Sequence, residues 1–162
     1  MNDKLVNLSF EHLVRLLKRK LKSNIVVQNI FRDFNLSLDH LDGLSISIEE
    51  IGDRFAESDD KSMKLSKKLI RNSAEFGDIF AVVLHEIWHF AKRLHEKLGG
   101  YFGDDEELEA FSVSIAAQLS QGDDLDIIYN RLYPKVEFHY SDPIKAKEVF
   151  KKMIEKAYKL LQ

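Results

Sequence analysis

The sequence predicts an α+β fold in which a small mixed β-sheet packs against a buried central helix. Three observations support this prediction. Residues 44–48 and 62–66 alternate between apolar and polar, as half-buried strands do. Residues 73–98 are apolar on most sides at helical spacing. A second helical segment with an acidic start follows at 104–122. We therefore expect the strands to cover the central helix and the acidic helix to cross it.

Size and composition limit the class of protein. The chain has 162 residues, 44% of them hydrophobic, which suits one domain covering 1–162. Its formal net charge of -3 offers no broad basic field, so nucleic acid is not an expected partner. The lack of cysteine removes disulfides and thiolate ligands and favours a cytoplasmic location. The first residues do not resemble a signal peptide, and no stretch approaches about 18 apolar residues, so we expect no membrane association.

The N-terminal part is expected to begin with an amphipathic helix. Residues 9–22 place apolar side chains on one face, Ser9 is a suitable N-cap, and basic residues fill the last turns. The β-branched residues 25–27 predict a strand that continues at 30–31 across a bulge. Residues 44–48 then predict a half-buried strand after a short turn.

The segment before the central helix predicts a loop and a strand. Residues 49–60 are rich in Glu, Asp, Gly and Ser, which is typical of a surface loop. Residues 62–66 predict a strand, and the lysines in and beside it are typical of a protected sheet edge. Such an edge just ahead of the central helix is suited to receiving an extended peptide by strand addition.

The central and second helices have recognisable ends in the sequence. Ser73 is the expected cap of the central helix, and Gly99 and Gly100 are expected to stop it near residue 98. The second helix is expected to open in the acidic run 104–107 and to continue to Gly122.

The C-terminal part predicts two further helices. Residues 123–132 predict a short helix that Pro134 ends, and residues 135–140 are then expected to be extended. The last helix is expected to start at 141–143, where a capping Ser-Asp pair precedes a proline suited to the first helical turn.

The central helix contains the motif His85-Glu86-x-x-His89. Residues four apart on a helix lie one turn from each other on nearly the same face, so the two imidazoles can bind one metal ion. Glu86 lies about 100 degrees round the axis from His85, beside the place of a metal-bound water. Two nitrogen ligands, a nearby carboxylate base and open coordination positions are what zinc-dependent hydrolysis needs. A structural histidine pair on a solvated face is the alternative interpretation.

A zinc ion held by two histidines needs a third protein ligand. His95 extends the motif to a form that resembles the metzincin pattern, with Lys92 in place of its glycine. Without that glycine the helix continues, so His95 points about 240 degrees away from His89 and a solvated side chain is expected. The other candidates are carboxylates of the second helix, about twenty residues further on, where the chain has room to turn and return. They are Glu106, Glu107 and Glu109.

The run from Glu107 to Phe111 resembles the third-ligand motif of the gluzincin metallopeptidases, Glu-x-x-(Ala/Ser)-(Asp/Asn). The short spacing and the Glu-x-Glu-Ala string are most similar to the ImmA/IrrE-like peptidases and to the minimal single-domain gluzincins. This resemblance spans residues 62–120 only. It implies a zincin-like fold, Zn²⁺ as the cofactor, Glu107 as the third ligand, and Ala110 as the small residue packed against the metal-binding helix.

Two residues depart from the gluzincin pattern. Trp88 stands before the second histidine, where the family commonly has a small residue, so the fold must leave space for an indole. Phe111 stands where the family often has a carboxylate or amide that bonds a ligand histidine. That role is therefore expected to be vacant or to fall to Ser114, Asp104 or a backbone carbonyl.

The resemblance implies a zinc metalloendopeptidase that acts on a protein or peptide. Glu86 would serve as the general base. Related sites add a second donor for the substrate carbonyl, and His139 and Tyr140 are the candidates for it here. The alternative, from a different class, is a catalytically silent, zinc-stabilised module that binds or regulates a protein. Trp88 and Phe111 favour this alternative.

Overall fold

The computed structural model describes residues 9–73, 75–100 and 105–162. Over these ranges the fold mixes helices and strands and is mostly helical, which confirms the α+β class. In chain order its elements are α1 (Phe10–Ser23), α2 (Ile25–Asp33), a 3-10 helix (Leu38–Gly43), β1 (Ser45–Glu49), β2 (Ala56–Ser58), β3 (Ser62–Ser66), α3 (Lys67–Asn72), α4 (Phe76–Lys97), α5 (Glu106–Ser120), α6 (Leu125–Tyr140) and α7 (Pro143–Leu160).

The sheet is mixed, as predicted, but its strand order differs from the expectation. The order is β1-β3-β2, with β3 parallel to β1 and antiparallel to β2. β3 is therefore the central strand, and its prediction as a sheet edge open to strand addition was wrong. β2 is the edge strand beside it. This strand lies within residues 49–60, which the sequence predicted to be a loop. Lys64 of β3 lies between Glu49 and Glu57, at 3.8 and 3.7 Å, so the lysine makes cross-strand ion pairs.

The predicted strand at 25–27 and 30–31 is wrong, because these residues form α2. Asn24 caps this helix, and its side-chain oxygen accepts the backbone N–H groups of Val26 and Val27 at 2.9 and 3.3 Å. Val26, Val27 and Ile30 are almost completely buried. Burial of one helical face against the core therefore outweighs the strand propensity of the β-branched residues.

The N-cap of the central helix α4 lies two residues after Ser73, the expected cap. This N-cap is Glu75, whose backbone N–H donates to the Asp78 carboxylate at 3.2 Å. Ser73 instead ends α3, with its own N–H bonded to the Leu69 carbonyl at 3.0 Å. The helix ends at Lys97, close to the prediction.

α4 and α5 pack closely against each other, and α5 also packs on α7. On α5, Ala110, Val113 and Ala117 are fully buried, and the Ser114 hydroxyl of the same helix donates to the Ala81 carbonyl of α4 at 3.5 Å. Small side chains at this contact let the two helix backbones approach. The cap of α5 is Asp105, which lies within the acidic start that the sequence indicated.

A single helix, α6, covers residues expected to form a short helix and an extended segment. Pro134 lies inside it without ending it. The proline is exposed, while Leu132, Tyr133 and Val136 around it are buried, so the helical face toward the core remains intact. The helix ends instead at Ser141, which has a positive φ of 58°.

The predictions for the two terminal helices are confirmed. Ser9 caps α1, where its hydroxyl oxygen accepts the His12 backbone N–H at 3.2 Å. Asp142 caps α7, and Pro143 occupies its first turn. Within the described ranges, we find no helix with both the length and the apolar character needed to cross a bilayer.

Candidate metal centre

The fold brings His85 and His89 of α4 together with Glu107 of α5. One ligand atom from each of the three side chains lies within 4.8 Å of the other two. The Nε2 atoms of the two histidines are 3.2 Å apart, and Nε2 of His89 is 3.7 Å from a carboxylate oxygen of Glu107. The two histidines come from successive turns of one helix, and the carboxylate comes from the first turn of its neighbour.

The spacing of these atoms suits a tetrahedral zinc ion. Zinc bonds of about 2.0–2.1 Å at tetrahedral angles place ligand atoms about 3.4 Å apart. The separation between the two histidine Nε2 atoms, 3.2 Å, and that between His89 Nε2 and Glu107, 3.7 Å, lie on either side of that distance. Two imidazole nitrogens and one carboxylate oxygen are also the donor set of catalytic zinc sites, which keep a fourth position for water or substrate. The three side chains therefore fit this metal in their chemistry, and the two separations that involve His89 fit its tetrahedral geometry.

Glu106 orients the ring of His89. Its Oε1 lies 2.8 Å from Nδ1 of His89, and its Oε2 accepts a hydrogen bond from the Lys92 ammonium at 2.8 Å. An ionised carboxylate only accepts hydrogen bonds, so Nδ1 of His89 must carry a proton, and Nε2 is the ring nitrogen that remains for a metal. Burial raises the pKa of Glu106, but the bonds from Lys92 and His89 outweigh burial and leave the pKa below its usual range. Glu106, a candidate ligand in the sequence, thus contacts the nitrogen that faces away from Glu107.

His85 is held in its neutral form. Burial, with smaller contributions from the neighbouring His89 and the charge of Lys135, lowers its pKa to about 3. Nδ1 of His85 lies 3.5 Å from the Ser114 hydroxyl, and the ring makes an edge contact with Phe111 at 5.4 Å between centroids. Ser114 therefore occupies the place the sequence analysis offered it, and Phe111 packs on the histidine. Asp104, the other side chain considered for this role, lies outside the described residues.

Glu86 is held by a residue that the sequence analysis missed. The Ser58 hydroxyl donates to the Glu86 carboxylate at 2.7 Å. Arg93 of α4 in turn donates to the Ser58 carbonyl and, at 3.2 Å, to its hydroxyl oxygen. These bonds tie the edge strand β2 to α4 beside the glutamate. No sequence signal marked Ser58, because β2 has only three residues and lies in a polar segment.

A cavity of about 590 Å³ opens beside these groups. Residues from α4, α5, α6 and the segment before β2 line it together, and the lining includes His85, Glu86 and Glu107. This volume is within the range of small-molecule and peptide side-chain sites. Glu86, two of the three candidate ligands and open space thus share one concave surface.

His139 and Tyr140 are not among the described residues that line the cavity. The Tyr140 hydroxyl donates to the Asp105 carboxylate at 2.6 Å, and burial together with this bond raises the Tyr140 pKa above its usual range. His139 is exposed and makes an edge contact with the Tyr140 ring. Their role as substrate donors stays a prediction, and the hydroxyl of Tyr140 is engaged elsewhere.

The remaining candidate ligands lie away from the centre. His95 was expected to be solvated, which is wrong: Nδ1 of His95 lies 3.1 Å from the Phe34 carbonyl, and its ring packs on Phe34. Trp88, which the sequence analysis found unusual, is buried against the same phenylalanine. Glu109 pairs with Lys156 of α7.

No family model matches this sequence, and neither curated proteins nor solved structures provide a match.

Proposed function

We propose that this protein is a zinc-dependent metallopeptidase of the gluzincin type that hydrolyses peptide bonds in a protein or peptide substrate. His85, His89 and Glu107 would hold the metal, and Glu86 would act as the general base. The observation that carries the proposal is the approach of the three ligand atoms to within 4.8 Å, beside a cavity that His85, Glu107 and Glu86 line. Acidic clusters are common on protein surfaces, but two imidazoles beside a carboxylate and an open cavity are not.

A bound zinc ion would supply the Lewis acidity that polarises a water molecule and the scissile carbonyl. The chain supplies the proton transfers and the orientation. Glu86 would accept the proton of the attacking water and deliver it to the leaving amine. The Ser58 hydroxyl, 2.7 Å from the Glu86 carboxylate, restricts that carboxylate to one orientation while leaving its other oxygen available.

The pair formed by Glu106 and Lys92 has a supporting role. Glu106 fixes the tautomer and ring orientation of His89, and Lys92 fixes Glu106. An orienting carboxylate of this kind normally also makes a ligand histidine more basic and so a better donor to the metal. Glu106 and Glu107 are adjacent in sequence, so the first turn of α5 would both orient His89 and bind the metal.

The test is the substitution Glu86→Gln, which removes the base and preserves the side-chain shape. The variant should keep its zinc and lose cleavage of an unfolded protein such as casein. Glu148→Gln, on an exposed position of α7, is the control and should keep both. Zinc is measured by elemental analysis after dialysis, and cleavage by release of labelled fragments with and without a chelator.

Two results would overturn the proposal. Equal cleavage by Glu86→Gln and the unchanged protein would show that Glu86 is not the base. Tight zinc binding by an unchanged protein that cleaves nothing would favour the alternative, a silent zinc-stabilised binding module.

A further inference from the structure

One wall of the cavity carries positive charge. Arg54, Arg131 and Lys135 all line it. Arg131 is engaged by Asp78 and Asp123, at 3.7 and 3.0 Å. Arg54 lies 3.6 Å from Glu57. Two of the three cations are therefore already paired with carboxylates of the protein.

Lys135 differs from both arginines. It is exposed in the cavity wall, and among the described residues it makes no ion pair. Its ammonium lies 5.8 Å from the centroid of the Phe55 ring, which also lines the cavity. An aromatic ring at this distance attracts a cation and restricts the lysine stem without neutralising its charge. The ammonium therefore stays available to a ligand in the cavity.

The other charges of the cavity do not cancel Lys135. A zinc ion would balance the formal charges of Glu86 and Glu107, and Asp78 is paired with Arg131. Asp53 is the remaining carboxylate of the described lining, and it is exposed. A substrate side chain entering the cavity would thus meet one cation held on an aromatic ring and one freely solvated acid.

We propose that Lys135, positioned by Phe55, recognises an acidic side chain of the substrate close to the bond that is cleaved. This inference rests on the proposed function for the nature of the ligand, which is a peptide. It adds a preference for Glu or Asp that the metal centre by itself does not provide. Lys135 is a residue of substrate selection here, and the hydrolytic step needs no proton from it.

The experiment measures binding in the zinc-loaded Glu86→Gln protein, so that the result does not depend on turnover. The probes are fluorescent alanine-based heptapeptides that carry Glu, Gln or Lys at one position at a time, and the readout is the dissociation constant from fluorescence anisotropy. At low salt the best Glu peptide should bind about 2–5-fold more tightly than its Gln counterpart, the range of an exposed ion pair. The difference should shrink at high salt, where exposed charges are screened.

Substitutions at Lys135 assign the effect. Lys135→Met keeps the aliphatic stem and should remove the preference for Glu, whereas Lys135→Glu should reverse it toward the Lys peptide. Asp53→Asn should increase the preference, because it removes the competing carboxylate. The matched control is Lys145→Glu: this lysine also lies over an aromatic ring, that of Tyr140 at 5.5 Å, but it is not part of the described cavity lining. It should leave the preference unchanged.

The outcomes separate this inference from the proposed function. A Glu preference that survives Lys135→Met, that disappears equally in Lys145→Glu, or that is absent from the start would overturn the inference. A Lys135-dependent preference in a protein whose parent cleaves no peptide would support acidic recognition and refute only the peptidase function. Cleavage by the parent protein with no Lys135-dependent preference would support the peptidase function and refute only the acidic recognition.

Discussion

Removing the Glu106 carboxylate should weaken zinc binding without unfolding the protein. Glu106 contacts His89 at Nδ1 and Lys92 at Nζ, both at 2.8 Å, and it would act on a bound metal only through His89. Loss of such an orienting partner typically reduces metal affinity about 10–100-fold. This change corresponds to roughly 1.4–2.8 kcal/mol of binding free energy. We expect Glu106→Ala near the upper end and Glu106→Gln near the lower end, because the amide oxygen can still accept the His89 proton.

The zinc-free protein should be affected much less. The Glu106 side chain is 39% exposed, so its pairing with Lys92 is screened by solvent, and Lys92 keeps its pairing with Glu96 at 3.2 Å. We therefore expect the free energy of unfolding of the zinc-free variant to fall by less than about 1 kcal/mol. Zinc affinity is measured by competition with a chromophoric chelator, and unfolding by urea titration of the metal-free protein.

Glu96→Gln is the matched control for this prediction. It removes the other carboxylate that contacts Lys92 but leaves His89 untouched. Its zinc affinity should stay within about twofold of the parent, well below the loss expected from removal of a histidine partner. Affinities in both Glu106 variants equal to that of Glu96→Gln would show that Glu106 does not orient a metal ligand.

Three further outcomes follow from the geometry. Glu107→Ala should lose tight zinc binding while His95→Ala retains it; the opposite pattern in dialysed samples would make His95 the third ligand. Ser58→Ala should keep zinc but lower kcat about tenfold, the effect of losing one hydrogen bond to a charged group, and an unchanged kcat would remove Ser58 from the positioning of the base. Asp59→Ala should lower the free energy of unfolding by about 1 kcal/mol, because its carboxylate accepts two backbone N–H groups in the turn before β3. Those bonds lower the Asp59 pKa, so this stabilisation should be complete above about pH 4 and disappear as the pH falls through the lowered pKa. A urea-unfolding difference that persists in strong acid would contradict it.

Much of the metal centre could be predicted because helical geometry is local. The spacing of His85 and His89 defines one face of a helix whatever surrounds it. Chain length made the carboxylates at the acidic start of α5 candidates, and the resemblance of the run from Glu107 to Phe111 to the gluzincin motif singled out Glu107. The roles of Glu106 and Ser58 could not be read in the same way. They depend on which oxygen of Glu106 meets which nitrogen of His89, and on a three-residue strand reaching α4.

The errors in the fold share a physical cause. Local propensity favoured a strand at 25–27 and a helix end at Pro134, but burial decided both places. Val26 and Val27 are completely buried on one face of α2, and Val136 is completely buried just beyond the proline. Hydrophobic burial of several side chains, at about 1.5–3 kcal/mol each, exceeds a strand preference of about 1 kcal/mol. It is also comparable to the cost of one proline in a helix, about 3 kcal/mol.

The continuous helix through Pro134 also changes which residue of this region meets the cavity. The sequence predicted that residues 135–140 are extended and separate from the helix before the proline. The candidate donors were therefore His139 and Tyr140, at the polar end of that segment. In the helix, Lys135 stands one turn after Arg131, so both face the same cavity. His139, a further turn along, is exposed outside the described lining. A charge of α6 that acts on the substrate would therefore come from Arg131 or Lys135 and not from His139. Because Arg131 is already paired with Asp78 and Asp123, Lys135 is the residue on which peptide selection can be tested.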